Sequence, residues 1–151
     1  MNRTTAMKDD TPLTREQMTT KEQYMRTDIN AERKKGVTAT TQDVLTHHLN
    51  SFGDIAGTMA DYTAESRFFT PDGLLRGSEA IRRFFVRAFE EFAKPGKPLE
   101  MLRQEVDGDT AYIVWRAETA DNIFELGSDT FIVRNGKIVT QTFAGKVSPK
   151  R

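Results

Sequence analysis

The segment Phe68–Phe85 constrains the fold of this chain more than any other. Two phenylalanines end an extended stretch, Pro71-Asp72-Gly73 follows, and Gly77-Ser78 then opens a periodic apolar run. Proline presets φ, aspartate bonds its own backbone and glycine accepts positive φ, so this order is typical of a tight turn. The segment therefore predicts a strand, a turn and an amphipathic helix in immediate succession.

Three helices are predicted from apolar residues that recur at helical spacing. The first follows Thr40-Thr41-Gln42-Asp43, a typical helix start with an acid at the third position, and stops at Gly53. Asp54 and Ser78 are the predicted caps of the second and third helices, and Pro95-Gly96 ends the third. The apolar stripes are Val44, Leu45, His48, Leu49 and Phe52; then Ile55, Met59 and Tyr62; then Ile81, Phe84, Phe85, Ala88, Phe89 and Phe92.

The chain beyond Pro98 reads as antiparallel strands joined by tight turns. Strands are predicted at about 99–106, 110–118, 123–133 and 137–146, and Asn135-Gly136 is the strongest of the hairpin signals between them. Helices first and a meander of strands afterwards indicate the α+β class. We expect three N-terminal helices packed on one face of a curved, mainly antiparallel sheet.

The first 38 residues differ in composition from the rest. They contain one Leu, one Ile and neither Phe nor Trp, which is too little apolar surface for a core. We expect residues 1–38 to be a polar N-terminal extension, flexible or partly helical across Arg15–Lys35, and residues 39–148 to form the folded domain.

Charge and composition exclude several classes of function. Lysine and arginine number 22, as do aspartate and glutamate, so no net positive field draws nucleic acid or an anionic membrane. No cysteine is present, and no apolar stretch approaches the roughly 20 residues that span a bilayer. Phosphate-binding glycine loops and metal-ligand spacing are also missing from the sequence. We expect a cytoplasmic protein without cofactor or metal.

The order of these signals resembles the SnoaL-like family of the nuclear transport factor 2-like superfamily. The resemblance covers about residues 40–147, and its most specific parts are the strand-turn-helix segment and the terminal Asn-Gly hairpin. The signals are Gly53-Asp54, Tyr62, Pro71-Asp72-Gly73, Gly77, Ile81, Phe84-Phe85, Trp115, Asp129 and Asn135-Gly136-Lys137-Ile138. The resemblance implies a cone-shaped α+β barrel that encloses an apolar pocket. Members of the family are often dimeric and range from enzymes to binders.

Polyketide cyclases and ketosteroid isomerases of this superfamily act on apolar carbonyl compounds by proton transfer beside an acidic residue. The resemblance places Asp129 on the isomerase's oxyanion-binding aspartate, which apolar surroundings keep protonated. Thr70 stands where the isomerase has its general-base aspartate, and threonine lacks that function. The isomerase's oxyanion tyrosine falls near Thr46, so that Tyr62 or His47 would have to supply a hydroxyl or an imidazole.

Asp129 is the leading catalytic candidate. Strand alternation places it on the same face as Phe131 and Val133, where desolvation would raise its pKa and suit it to acid–base work. The alternative is a structural pairing with Arg116, Arg134 or a hydroxyl on a neighbouring strand.

His48 and Tyr62 are the other catalytic candidates. His48 fits the apolar stripe better than His47, and it is either a buried histidine bonded to backbone or an assisting acid–base group. The Tyr62 hydroxyl points either into the cavity or to a neighbouring backbone group. The predicted ligand-binding residues are Phe68, Thr70, Trp115, Phe131 and Phe143, with Trp115 equally suited to the core.

The other face of the sheet carries Tyr112, Val114, Arg116 and Glu118, a mixture suited to pairing with a second subunit. The sequence therefore favours a homodimeric SnoaL-like domain that binds a small apolar, oxygen-bearing molecule, as a binder or as a cofactor-free isomerase, cyclase or dehydratase. The alternative is a protein-interaction module whose cavity is filled by its own aromatic side chains.

Overall fold

A computed structural model describes residues 37–151, which are built from three helices and six strands. The helices are α1 (Thr41–Asn50), α2 (Ile55–Met59) and α3 (Gly77–Phe92). The strands are β1 (Tyr62–Thr70), β2 (Gly73–Arg76), β3 (Glu100–Asp107), β4 (Thr110–Glu118), β5 (Asn122–Arg134) and β6 (Lys137–Pro149).

The strands form one sheet in the order β2-β1-β6-β5-β4-β3. All neighbours are antiparallel except β1 and β6, which run parallel at the middle of the sheet. Register shifts interrupt every pairing but that of β1 with β2. Because such bulges bend and twist a strand, the sheet curves around the helices. The predicted α+β architecture of a cone-shaped barrel is confirmed.

Local sequence explains the positions of α1 and the last hairpin. Thr40 Oγ1 accepts a hydrogen bond from the Asp43 amide, and the Asp43 carboxylate accepts one from the Thr40 amide, which completes a capping box. Asn135 and Gly136 both adopt positive φ, at 52° and 72°. That conformation matches the twist of a two-residue hairpin between β5 and β6.

The core lies between the helices and the inner face of the sheet. Alternate residues of β4 and β5 are buried, as the sequence pattern predicts, and Ile81 and Phe85 bring α3 onto them. The fully buried side chains include Phe68, Phe131, Leu45, Ile81 and Ile138, which come from all layers of the domain.

The structure corrects three local expectations. Tyr62 begins β1 instead of continuing the helical stripe of α2, which ends at Met59. The expected turn at Pro71-Asp72-Gly73 leads into a strand that was not predicted, since Gly73–Arg76 forms the short strand β2 against β1 before the helix begins. Ser78 lies inside α3, whose cap position is Arg76, and neither Arg76 nor Asp54 makes a side-chain cap hydrogen bond.

The predicted polar extension and its possible helix over Arg15–Lys35 lie almost wholly outside the described residues. The chain from Thr38 to Arg151 forms one compact unit. Within the described part, no helix is long and apolar enough to cross a membrane.

Candidate functional site

A cavity of about 330 Å³ lies between the helices and the inner face of the sheet. Its wall is largely aromatic, and the buried polar residues that line it are His48, Thr58, Asp129 and Gln141. Phe52 and Asp72, which are exposed, also line it, so the cavity reaches the molecular surface. This volume lies at the lower end of the range that small-ligand sites occupy.

Asp129 is held in the cavity wall by two donated hydrogen bonds. Trp115 Nε1 donates to Asp129 Oδ2 at 2.8 Å, and Gln141 Nε2 donates to Asp129 Oδ1 at 3.0 Å. The Tyr62 hydroxyl donates in turn to Gln141 Oε1. One buried chain of hydrogen bonds therefore joins β1, β4 and β6 to Asp129 on β5. Asp129 itself is 7% exposed.

Burial and hydrogen bonding act in opposite directions on Asp129. Desolvation raises the pKa of Asp129 above its ordinary value, while the bonds from Trp115 and Gln141 and the nearby His48 partly offset that rise. Burial also raises the pKa of Tyr62, and the negative charges of Asp129 and Asp61 add to this effect. Tyr62 therefore acts as a hydrogen-bond donor and keeps its proton.

A second polar cluster lies behind His48. His47 Nδ1 is 2.7 Å from Asp61 Oδ1, and His48 Nδ1 is 3.5 Å from Asp61 Oδ2. The two imidazoles differ in environment, because the His47 side chain is 52% exposed and that of His48 is 9% exposed. The His48 ring packs edge-on against Tyr62, Phe85 and Phe131.

The structure brings most of the predicted site residues to the cavity. His48 and Asp129 line it, together with Phe68, Trp115, Phe131 and Phe143. Tyr62 does not line the cavity, and it reaches the site through its hydrogen bond to Gln141 and the packing of its ring against His48. Thr70 is placed elsewhere, since its hydroxyl donates to the Gly73 carbonyl in the β1–β2 turn.

The alternative pairings of Asp129 are not formed. Arg116 binds Glu100 and Arg134 lies against Asp109, each at the surface of the sheet. Thr46, at the place of the isomerase's tyrosine, is exposed on α1 and accepts a hydrogen bond from Gln42.

Gln141 and Asp61 are the polar residues that sequence reasoning missed. Gln141 stands among threonines on β6, where no pattern distinguishes it from surface positions. Asp61 directly precedes Tyr62, and the expected continuation of the helix hid its place at the start of β1. Across residues 37–151, no group of three or more His, Asp or Glu side chains is arranged to hold a metal ion.

Comparison with known families identifies this architecture. Residues 32–141 match the SnoaL-like domain. The chain belongs to the SnoaL-like family, within the nuclear transport factor 2-like superfamily. A search of curated proteins gives no significant sequence match.

Several solved structures share the fold at low sequence identity. A candidate polyketide cyclase from Sinorhizobium meliloti is 18% identical with a TM-score of 0.57, over 68% of this chain and 94% of that one. A candidate ketosteroid isomerase from Kribbella flavida is 18% identical with a TM-score of 0.59, over 72% and 81%. An NTF2-like protein of unknown function from Mesorhizobium loti is 22% identical with a TM-score of 0.58, over 70% and 90%. At these identities the similarity establishes the fold alone.

Proposed function

We propose that this protein binds a small apolar, oxygen-bearing molecule in the cavity and acts on its carbonyl group without a cofactor. The observation that carries the proposal is Asp129, a buried carboxyl group in the wall of an aromatic cavity that reaches the surface. A pocket of mainly apolar lining with few convergent polar groups and a perturbed acid is the usual form of a small-molecule site.

The chemistry follows from the surroundings of Asp129. A carboxyl group whose pKa is raised by burial keeps its proton to a higher pH than an exposed one does, which suits it to donate that proton to a ligand. Trp115 and Gln141 fix the direction of both oxygens, so the group is oriented before a ligand enters. Isomerisation, cyclisation and dehydration of a carbonyl compound all need such a proton transfer and no redox cofactor.

Two related proteins give this proposal its reaction class. The structures that share this fold include a candidate polyketide cyclase and a candidate ketosteroid isomerase. The isomerase's own base position is Thr70 here, which argues against that enzyme's route in this chain. The unfilled volume of about 330 Å³ favours ligand binding over an interaction module with a filled cavity.

The test begins with the ligand. Native mass spectrometry of freshly purified protein, beside a denatured control, is expected to detect a co-purifying apolar molecule. Turnover of that molecule by wild type and by Asp129→Asn is then compared. We expect Asp129→Asn to lose roughly 10²-fold or more in rate, since general acid–base catalysis contributes 10²–10⁴-fold. Turnover that Asp129→Asn leaves untouched would refute the role of Asp129.

We also propose that the protein is a homodimer and acts in the cytoplasm. Support for the dimer comes from the outer face of the sheet, where Tyr112, Thr130, Thr142, Phe69 and Leu74 occupy one row of paired strand positions. Three of these residues are large apolar side chains at least 36% exposed. A face of this kind is suited to a second copy of the same sheet.

A further inference from the structure

His48 and Asp61 carry two buried polar atoms that lack a hydrogen-bond partner. Among the described residues these atoms are His48 Nδ1 and Asp61 Oδ2, and they face each other at 3.5 Å. Orphaned buried polar atoms are rare in folded proteins and call for an explanation. A small approach of one group toward the other satisfies both atoms in a single hydrogen bond.

A hydrogen bond between His48 Nδ1 and Asp61 Oδ2 would determine which nitrogen of His48 carries the proton. A carboxylate oxygen accepts and does not donate, so His48 Nδ1 must be the protonated nitrogen in the neutral ring. Among the described residues, Nε2 has no hydrogen-bond partner and is not one of the two enclosed orphan atoms. His48 lines the cavity, so with Nδ1 turned to Asp61 the nitrogen left to meet a ligand is Nε2.

Other groups around the imidazole support this arrangement. Asp61 Oδ1 is held from the far side by His47, and the Asp61 carbonyl accepts a hydrogen bond from the Ile138 amide at 2.8 Å. Lys137 Nζ binds the Ala60 carbonyl at 2.5 Å, which places a positive charge near the same turn. The charged or titratable groups around His48 are Asp61 before β1, Tyr62 on β1 and Asp129 on β5, with His47 on the far side of Asp61, and Phe85 and Phe131 pack against the ring.

We infer that His48, oriented by Asp61, is the general base of this cavity and replaces the base that Thr70 lacks. The inference rests on the proposed function, because it assigns the second proton-transfer group of the same site. Its substrate class is an apolar ketone with an acidic C–H next to the carbonyl. Asp61 is a positioning residue, since it acts through His48 and does not line the cavity.

The proton balance of the step is complete within the site. In the form of the site that holds neutral His48 and protonated Asp129, His48 Nε2 takes a proton from the carbon next to the carbonyl, and Asp129 gives its proton to the carbonyl oxygen. The C–H bond breaks, the electron pair forms the C=C bond of the enol, and the site holds imidazolium and carboxylate. The reverse transfer to carbon regenerates neutral His48 and protonated Asp129, so no oxidant, reductant or cofactor is consumed.

The tautomer of His48 is the first test. Long-range ¹H–¹⁵N correlation spectra report which ring nitrogen is protonated, and the chain has only two histidines. His47→Gln leaves one imidazole and so assigns the signals. We expect the neutral His48 ring to be protonated at Nδ1 in wild type and His47→Gln, and to lose this preference in Asp61→Asn. A wild-type ring protonated at Nε2 would overturn the inference.

Hydrogen exchange of a probe ketone is the second test and needs no knowledge of the natural ligand. 1-Tetralone is incubated with the protein in D₂O, and loss of its α-proton signal is followed by ¹H NMR. Wild type is expected to accelerate exchange over buffer, and His48→Gln and Asp61→Asn to lose about 100-fold of that acceleration. Asp54→Asn, which removes an exposed carboxylate from the same region without touching either imidazole, is the matched control and retains it.

The outcomes separate the two proposals. Exchange that depends on Asp129 but survives in His48→Gln and Asp61→Asn overturns the base assignment and leaves the proposed function standing. No acceleration by folded wild type counts against the proposed function on ketones and removes the base role with it. Circular dichroism of each variant establishes that a lost rate does not reflect unfolding.

Discussion

Asp129 combines a buried position with two hydrogen bonds from fixed donors, and the two influences oppose each other. Desolvation favours the protonated acid, while the Trp115 and Gln141 donors favour the carboxylate. A group balanced in this way can change protonation state at modest cost, which is what an acid–base catalyst requires. The same balance makes Asp129 a measurable component of the pH dependence of stability.

Removing the charge of Asp129 is expected to change that pH dependence. The pKa of Asp129 is raised in the folded state, so the folded protein binds the proton more readily than the unfolded chain. In the unfolded chain the pKa of an aspartate is about 3.9. As pH rises from there through the folded pKa, ionisation of Asp129 therefore lowers the free energy of unfolding. Asp129→Asn cannot ionise and so avoids this loss. The free energy of unfolding of Asp129→Asn minus that of wild type should therefore be greatest near neutral pH and should decline as pH falls. Urea unfolding at several pH values measures this difference, and a difference constant across the range would contradict it.

Gly127 determines the position of Trp115 by having no side chain. The two residues are directly paired between β4 and β5, and a Cβ built on Gly127 would lie 2.3 Å from Trp115 Cε2. Gly127→Ala is therefore expected to displace the indole, weaken its bond to Asp129 and destabilise the protein by about 1–3 kcal/mol. Urea unfolding followed by tryptophan fluorescence tests both effects. Ser128→Ala, on the same strand but the opposite face, is the control and should leave the emission spectrum unchanged.

Residue-scale prediction from the sequence succeeded where strand alternation applies and failed where a contact depends on the fold. Asp129, Phe131 and Trp115 alternate inward on their strands, so their burial was predictable. The partners of Asp129 were not, because Trp115 and Gln141 approach it from two different neighbouring strands. A register shift of either strand would have changed those partners without altering the alternation.

At the scale of the elements, Glu91 connects the end of α3 to the turn between β4 and β5. Its carboxylate accepts hydrogen bonds from Thr119 Oγ1 at 2.5 Å and from Asn122 Nδ2 at 2.6 Å, and it pairs with Lys94. Hydrogen bonds from Lys94, Thr119 and Asn122 lower the pKa of Glu91 to about 2. The carboxylate thereby fixes the helix beside the cavity that Glu91 itself lines.

Glu91→Gln is expected to weaken this connection in a pH-dependent way. Because the folded pKa lies below the unfolded value of 4.5, the contribution of Glu91 is complete above pH 4.5 and is lost as pH falls toward about 2. Wild type should therefore be more stable than Glu91→Gln at neutral pH, with the advantage shrinking on acidification. Chemical denaturation at neutral and acidic pH measures it. Glu90→Gln, an exposed neighbour on α3, provides the control, and an equal loss in both variants would contradict the assignment.

The boundaries of the helices and strands could be predicted from the sequence only where local signals determine them. The β4 strand and the last hairpin were predicted closely, because alternation and Asn135-Gly136 act locally. The start of β1 was missed, since Met59 and Tyr62 keep helical spacing across a break in structure. Tyr62 pairs with Ile138 on β6, and the register shifts before Arg67 pairs with Thr140. Such a long-range pairing overrides local periodicity and cannot be read from it.

At the scale of the whole molecule, the two faces of the sheet have different roles. The inner face carries Asp129 and the aromatic wall of the cavity, and the outer face carries the exposed row defined above. Five strands about 4.8 Å apart make this row roughly 19 Å wide. A row of this width that carries three exposed apolar side chains is suited to a two-fold contact with a second copy of the sheet.

The proposed dimer predicts a strong effect of Tyr112→Glu. Tyr112 lies in the outer row beside Thr130, with Glu105 as its other cross-strand neighbour, and an isologous interface on this face would bury the new charge twice. We therefore expect wild type to sediment as a dimer at tens of micromolar in analytical ultracentrifugation, and Tyr112→Glu to sediment as a folded monomer. Val37→Glu introduces the same charge at a position that is 74% exposed and outside the sheet, and should remain dimeric. A monomeric wild type would refute the dimer, whereas a dimeric Tyr112→Glu would move the interface away from this face of the sheet.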